Sequence, residues 1–169
     1  DAVSTGDRPA PPGAKLIWAE DWVIRRQADC KVVVFSHFVR LLDALARRLE
    51  LRGLHAARLQ GDVPAERRVE TMRAFQDVEG GPRVLLCSVK CAGLGVTLTR
   101  AGAALLLDPW WNRAVEEQAV DRVHRIGQAC SVEVVRLVAA GTVEEGMLAM
   151  QDAKREVSDC ALAAPPRDG

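Results

Sequence analysis

The 169-residue chain has no surplus of charge: 23 basic and 23 acidic residues leave a formal net charge of +0. That excludes the strongly basic, tail-like class of nucleic-acid binder, although a local basic patch is compatible with it. No run approaches 18 apolar residues, so no segment reads as a membrane-spanning helix and no membrane partner is expected. No signal peptide is visible. The five cysteines (Cys30, Cys87, Cys91, Cys130 and Cys160) are odd in number and contain no CxxC pair. Cys87 and Cys91 have neither a second cysteine pair nor a histidine pair nearby, so no metal site is expected. Reduced thiols in an intracellular protein are the default reading. The chain also lacks internal repeats, low-complexity stretches and the GxxxxGK(S/T) string of a P-loop.

What is present fits one soluble globular domain, with 49% hydrophobic and 27% charged residues. The bases are 19 Arg and 4 Lys. Arginine's planar fork suits phosphate, but coding bias is the plainer reading of that skew. The chain opens at Asp1 rather than Met, as expected of a piece of something longer. Residues 1–14, rich in Pro, read as a linker, and 158–169 as a flexible tail.

Between them strand and helix patterns alternate. Residues 16–28 look helical, and 31–35 form a continuous apolar run of the kind buried on both faces. Leu41, Leu42, Leu45 and Leu49 follow helical spacing, with Gly53 placed as a C′ glycine. A weak strand at 55–59 precedes a helix at 64–75 that Asp62 is placed to cap. Strands follow at 83–87, 103–107 and 132–138. Asn112 is placed to cap a further helix, with Glu116 and Glu117 suited to its dipole. Thr142 and Glu145 form a capping box for a last helix running to about Val157. Such alternation predicts an α/β layer fold on a mainly parallel sheet, with ligands beyond the carboxyl ends of the strands.

Two segments carry chemistry. In Glu116–Gln128, the residues Gln118, Arg122 and Arg125 share one helical face or its C-terminal turn. Two arginines there can converge on a phosphate, but spacing alone favours a solvated helix laced by Glu–Arg pairs. In Leu86–Thr99, a strand leads into a loop holding Ser88, Lys90, Gly93, Gly95, Thr97 and Thr99. Its glycines permit close approach of an anion to the backbone, a weak signal when taken alone.

Four strings in this order resemble helicase motifs IV, V and VI: 32–38 (VVVFSHF), the loop 88–99, 108–112 (DPWWN) and 118–128 (QAVDRVHRIGQ). They look like those of the C-terminal RecA-like lobe of Swi/Snf-type superfamily 2 ATPases, over residues 15–157. The resemblance implies a three-layer RecA-like fold, with a mostly parallel twisted sheet and helices on both faces. It implies the second lobe of an ATP-dependent double-stranded DNA translocase for chromatin remodelling or DNA repair, located in the nucleus. ATP with Mg²⁺ would be held by the P-loop lysine and acidic box of a first RecA-like lobe in the same polypeptide. Arg122 and Arg125 would be the arginine fingers reaching its γ-phosphoryl group. Gln118, Gly95 and Thr97 would line the nucleotide. Ser36, Ser88 and Lys90 would contact DNA phosphates, with nucleosomes as one possible substrate. The isolated chain would be inactive.

Some positions depart from the family pattern. Thr97 replaces an Asn, Ala92 a Gly, Gln60 an acid and Arg113 a Pro. They keep a second reading open, a diverged lobe that serves as a DNA or chromatin scaffold. A third reading, independent of the resemblance, is a stand-alone domain for a small phosphorylated ligand. Trp18 and Trp22 are expected to pack a helix on the sheet, and Trp110 and Trp111 to pack in the core or at a lobe interface rather than against a base.

Overall fold

The computed structural model describes residues 13–61, 63–77, 80–93, 95–128 and 130–163, with side chains through Arg155. Helix α1 (Ala14–Asp29) leads into β1 (Lys31–Ser36), α2 (Val39–Leu51), β2 (Ala56–Leu59) and α3 (Ala65–Gln76). There follow β3 (Val84–Ser88), the single turn α4 (Val89–Ala92), β4 (Ala101–Leu106), α5 (Arg113–Val120), β5 (Glu133–Arg136) and α6 (Val143–Ala163). The five strands form one parallel sheet in the order β2-β3-β1-β4-β5.

The continuous apolar run of β1 is explained by its central place. Alternate side chains point to opposite faces of a strand. Val33 and Phe35 join a core with Phe75, Val96, Leu98, Ala119 and Val123, under α3, α4 and α5. Val32 and Val34 join a second core with Trp22, Val23, Leu42, Leu45 and Leu49, under α1 and α2. The result is the expected three-layer α/β fold. The edge strand β5 is the least buried, and its register against β4 runs from Ala103–Glu133 to Leu106–Arg136.

Local signals mostly hold. Gly53 takes φ +75, and the Leu54 and Gly53 amides donate to the Leu49 and Glu50 carbonyls, closing α2 in a Schellman motif. The Asn112 side chain accepts the Ala114 amide at 3.2 Å and caps α5. The capping box at α6 differs from expectation. Thr142 Oγ1 accepts the Glu144 amide at 3.3 Å, while the Glu144 carboxylate turns back to the Ala139 amide and to Lys15. Glu145 is exposed. Helix α6 also runs to Ala163, past the expected start of the tail. Trp22 is in the core, but Trp18 is 40% exposed and stacks on Trp22 at 6.2 Å. The expected linker at 1–12, Asp62 as a cap and residues 164–169 lie outside the described residues.

Candidate nucleotide and nucleic-acid site

The loops that follow β1 and β4 leave toward opposite faces of the sheet, because α2 packs on one face and α5 on the other. Such a divergence opens a crevice at the carboxyl edge. Here the crevice is stitched shut by Asp108. Its carboxylate accepts from the buried Ser36 hydroxyl and, at 3.0 Å, from the His37 amide. Burial pushes the Asp108 carboxyl above the usual carboxylate range, against the opposing pull of those two hydrogen bonds. Ser36 is 0% exposed, and its hydroxyl is engaged within the turn. The strand end is held by a carboxylate the sequence places 72 residues away.

The rest of the motif IV and V surface does converge. His37, Val39, Gly61, Ser88 and Lys90 line a cleft of about 320 Å³ at the carboxyl ends of β1, β2 and β3. Lys90 is exposed and makes no ion pair among the described residues, whereas Ser88 is buried at the end of β3. The His37 ring lies flat on Trp110, with centroids 4.1 Å apart and an 8° tilt, and Trp110 meets Trp111 at 4.2 Å. Burial lowers the His37 pKa, outweighing the nearby Asp108 and Glu116 carboxylates, and Lys90 lowers it further. Trp111 is 50% exposed.

The second group of residues is brought together differently. Helix α5 stops at Val120, so Arg122 lies in the turn that follows and Arg125 beyond it. The Leu98 amide donates to the Arg122 carbonyl at 2.8 Å, which fastens the loop of Gly95 and Thr97 to the arginine turn. Gln128 anchors the far side of the turn through its amide nitrogen, which donates to the Ala101 carbonyl at 2.9 Å and the Val123 carbonyl at 3.3 Å. Gly95 has φ +78 with open space around it, so backbone conformation rather than crowding favours glycine there. Thr97 and Gln118 are exposed, and Gln118 is one turn before Arg122.

Neither Arg122 nor Arg125 pairs with an acid among the described residues. The Glu–Arg pairs of this region are Arg113 with Glu117 at 2.8 Å and Arg136 with Glu116 at 2.6 Å. Arg122 Nε is buried without a hydrogen-bond partner, and Arg125 is exposed. An orphaned buried guanidinium nitrogen costs free energy unless an acceptor arrives.

Two polar residues of this region escaped the sequence reading. Asp108 was visible only as part of a string, and Glu116 only as an acid suited to a helix dipole. Both are buried. A carboxylate in the first turn of a helix gives no sign of burial until its partners from other elements are known.

Comparison with known proteins bears on the family and the fold. Residues 14–127 match the helicase conserved C-terminal domain. The chain is 42% identical over 135 residues to a putative SWI/SNF-related matrix-associated actin-dependent regulator of chromatin subfamily A member 3-like 1 of Arabidopsis thaliana, covering 79% of this chain and 15% of that protein. It is 41% identical over 137 residues to DNA repair protein RAD5A of the same plant, covering 81% and 13%. Against the helicase-like transcription factor of Homo sapiens the identity is 36% over 135 residues, covering 79% and 13%. The crystal structure of the C-terminal part of the Fun30 ATPase domain superposes with a TM-score of 0.75 at 27% identity, over 81% of this chain and 44% of that one. The chain thus spans about one seventh of the length of these curated relatives.

Proposed function

The chain belongs to the helicase conserved C-terminal domain family, as the RecA-like C-terminal lobe of a Swi/Snf-type remodelling or repair ATPase, and from that premise we propose how its sheet edge divides the work. It is the second lobe of an ATP-dependent double-stranded DNA translocase. Arg122 and Arg125 act as arginine fingers on ATP held by a first RecA-like lobe of the same polypeptide. The Gly95–Thr97 loop and Gln118 approach the same nucleotide. Mg²⁺, bound by acids of that first lobe, would neutralise phosphate charge during hydrolysis. The observation that carries this reading is the Leu98–Arg122 bond beside an arginine whose Nε has no partner. It supports a guanidinium kept free of protein acids and fixed relative to a glycine loop. Such pre-placement stabilises charge that builds on a transferring phosphoryl group, with no reorganisation at that moment.

On the other side of the carboxyl edge, Lys90 and Ser88 take duplex phosphates in the cleft beside His37. These contacts position the lobe without reading sequence. Ser36 contributes by holding the 36–38 turn through Asp108, not by touching DNA. Closing and opening of the two lobes would step the protein along DNA in the nucleus, on chromatin or repair substrates that include nucleosomes.

Two departures from the family pattern have structural roles. Arg113 reaches Glu117 and, at 3.8 Å, Asp152 of α6. Gln60 is buried and donates to Asp43 at 3.2 Å. These contacts support accommodation rather than loss of function, and so favour the translocase over the scaffold.

The test is ATP hydrolysis by the full-length polypeptide with and without duplex DNA. Duplex-stimulated turnover is expected, with residues 1–169 alone inactive. Duplex binding without hydrolysis would instead establish the scaffold, and tight nucleotide binding by residues 1–169 alone the small-ligand domain. Lys90→Ala should weaken duplex binding uniformly across sequences and reduce the salt slope by about one.

A further inference from the structure

A third polar cluster lies where α5, α6 and the end of β5 meet, apart from both groups above. The Glu116 carboxylate is 1% exposed. Its Oε1 accepts from the Trp110 amide at 2.6 Å and from Gln151 Nε2 at 3.0 Å. Its Oε2 is 2.6 Å from Arg136 Nη2, an ion pair rather than an aligned hydrogen bond. Gln151 also donates to the Trp110 carbonyl. Both backbone polar groups of Trp110 are therefore held by side chains, one from α5 and one from α6.

The clamp connects three regions. Through Trp110 it supports the ring stack that reaches His37 and the cleft of Ser88 and Lys90. Through α5 it continues into the turn of Arg122. Through Gln151 it reaches α6, and among the described α6 side chains only Gln151 is buried. Among the described residues α6 is also tied to the body by Glu144 with Lys15 and Asp152 with Arg113, while Val143 and Met150 face solvent. Polar contacts thus help to fasten the described part of this helix, beside the half-buried Met147 and Leu148. Such contacts depend steeply on geometry, so the joint holds one placement of α6.

We propose that Gln151, acting through Glu116 and Trp110, is a positioning residue that couples the duplex-binding cleft to the arginine turn. Phosphates entering the cleft bear on the His37–Trp110 stack. The clamp passes that load to α5, with α6 as the fixed support. This inference rests on the DNA-dependent ATPase reading above. It adds a residue that touches neither nucleotide nor DNA.

The experiment uses the full-length polypeptide carrying Gln151→Met, which keeps volume and helix propensity but removes the amide donor. A second variant, Gln151→Asn, stays polar and is one methylene too short to span both acceptors, so it serves should the first fail to fold. We expect Tm lowered by about a few degrees by the lost buried donor, basal ATP turnover and KM for ATP close to wild type below that Tm, and the duplex-stimulated kcat lowered about tenfold or more. Stimulation equal to wild type in the folded variants overturns the inference, and so does an equal fall in basal and stimulated rates, which marks a purely structural role. Wild-type protein that hydrolyses ATP without responding to duplex DNA overturns the function proposed above, and this inference with it.

Discussion

The Leu98 amide nitrogen and the Arg122 carbonyl oxygen are 2.8 Å apart, so a hydrogen bond joins the glycine-bearing loop after β3 to the arginine turn after α5. Residues separated widely in the chain are locked at one edge by a single backbone bond. Arg125, three positions further on, is exposed and pairs with no acid among the described residues, so replacing it removes charge without disturbing packing. In the full-length polypeptide, Arg125→Ala should lower duplex-stimulated ATP turnover about 10³-fold while duplex affinity and Tm hold. Arg125→Lys should rescue little, because an ammonium lacks the planar fork. Unchanged turnover in Arg125→Ala would remove the finger assignment.

Gly81 should be the least replaceable glycine of the fold. It has φ +71, and a Cβ there would stand 1.9 Å from the Ala74 carbonyl oxygen at the end of α3. Backbone would have to move to admit it. Gly81→Ala should cost about 2–4 kcal/mol in denaturant unfolding. Gly53→Ala also meets a positive φ, but with open space, and should cost about 1 kcal/mol. Equal costs would mean that the close approach to Ala74 does not constrain the fold.

The Asp108 stitch can be tested by cutting either end. Asp108→Ala strands the buried Ser36 hydroxyl and the His37 amide, and should cost about 2–4 kcal/mol. Ser36→Ala removes one donor from a buried carboxylate that keeps the His37 amide, and should cost about 1–2 kcal/mol. Chemical denaturation of both single variants and the double variant would show a coupling term if the bond exists.

His37 gives a pH signature. Its folded-state pKa lies below the ordinary histidine value because of burial, so the unfolded chain binds its proton more readily. Its contribution to stability is fully present above the unfolded value of about 6.5 and is lost as pH falls below it. Asp108 runs the other way. Its raised folded-state pKa makes stability fall as pH rises from the unfolded value of about 3.9 toward the folded one. Between about pH 7.5 and 5.5, wild type should therefore lose more stability than His37→Gln, which has no titrating group at this site. Parallel melting curves for the two proteins across that range would refute the buried, neutral imidazole.

Much of this molecule is legible without coordinates. Val32–Phe35 read as a strand covered on both faces because a parallel sheet has no wet side, and β1 is the central strand. Asn112 and Gly53 read as caps because their jobs are local, done within a few residues by a side-chain oxygen or a positive φ. Arg122 and Arg125 stood out because the order of their surrounding strings resembles one family. What stays hidden in the sequence shares a cause as well. The burial of Ser36 depends on its partner Asp108, which is on another strand's loop. Glu116 and Glu117 look alike as neighbours on a short helix, yet one is buried and the other exposed.

The order of residues by itself determined the alternation of strands and helices, their caps and the chemistry carried by each loop, since these depend on periodicity and on contacts a few positions long. Tertiary structure alone decided which polar groups are spent and which are left over. Asp108, Glu116 and Gln151 are consumed by partners on other elements, while Arg122 Nε is left without one. That distinction depends on which loops the sheet order brings to a common edge, and the cost of burying a charge is set only there.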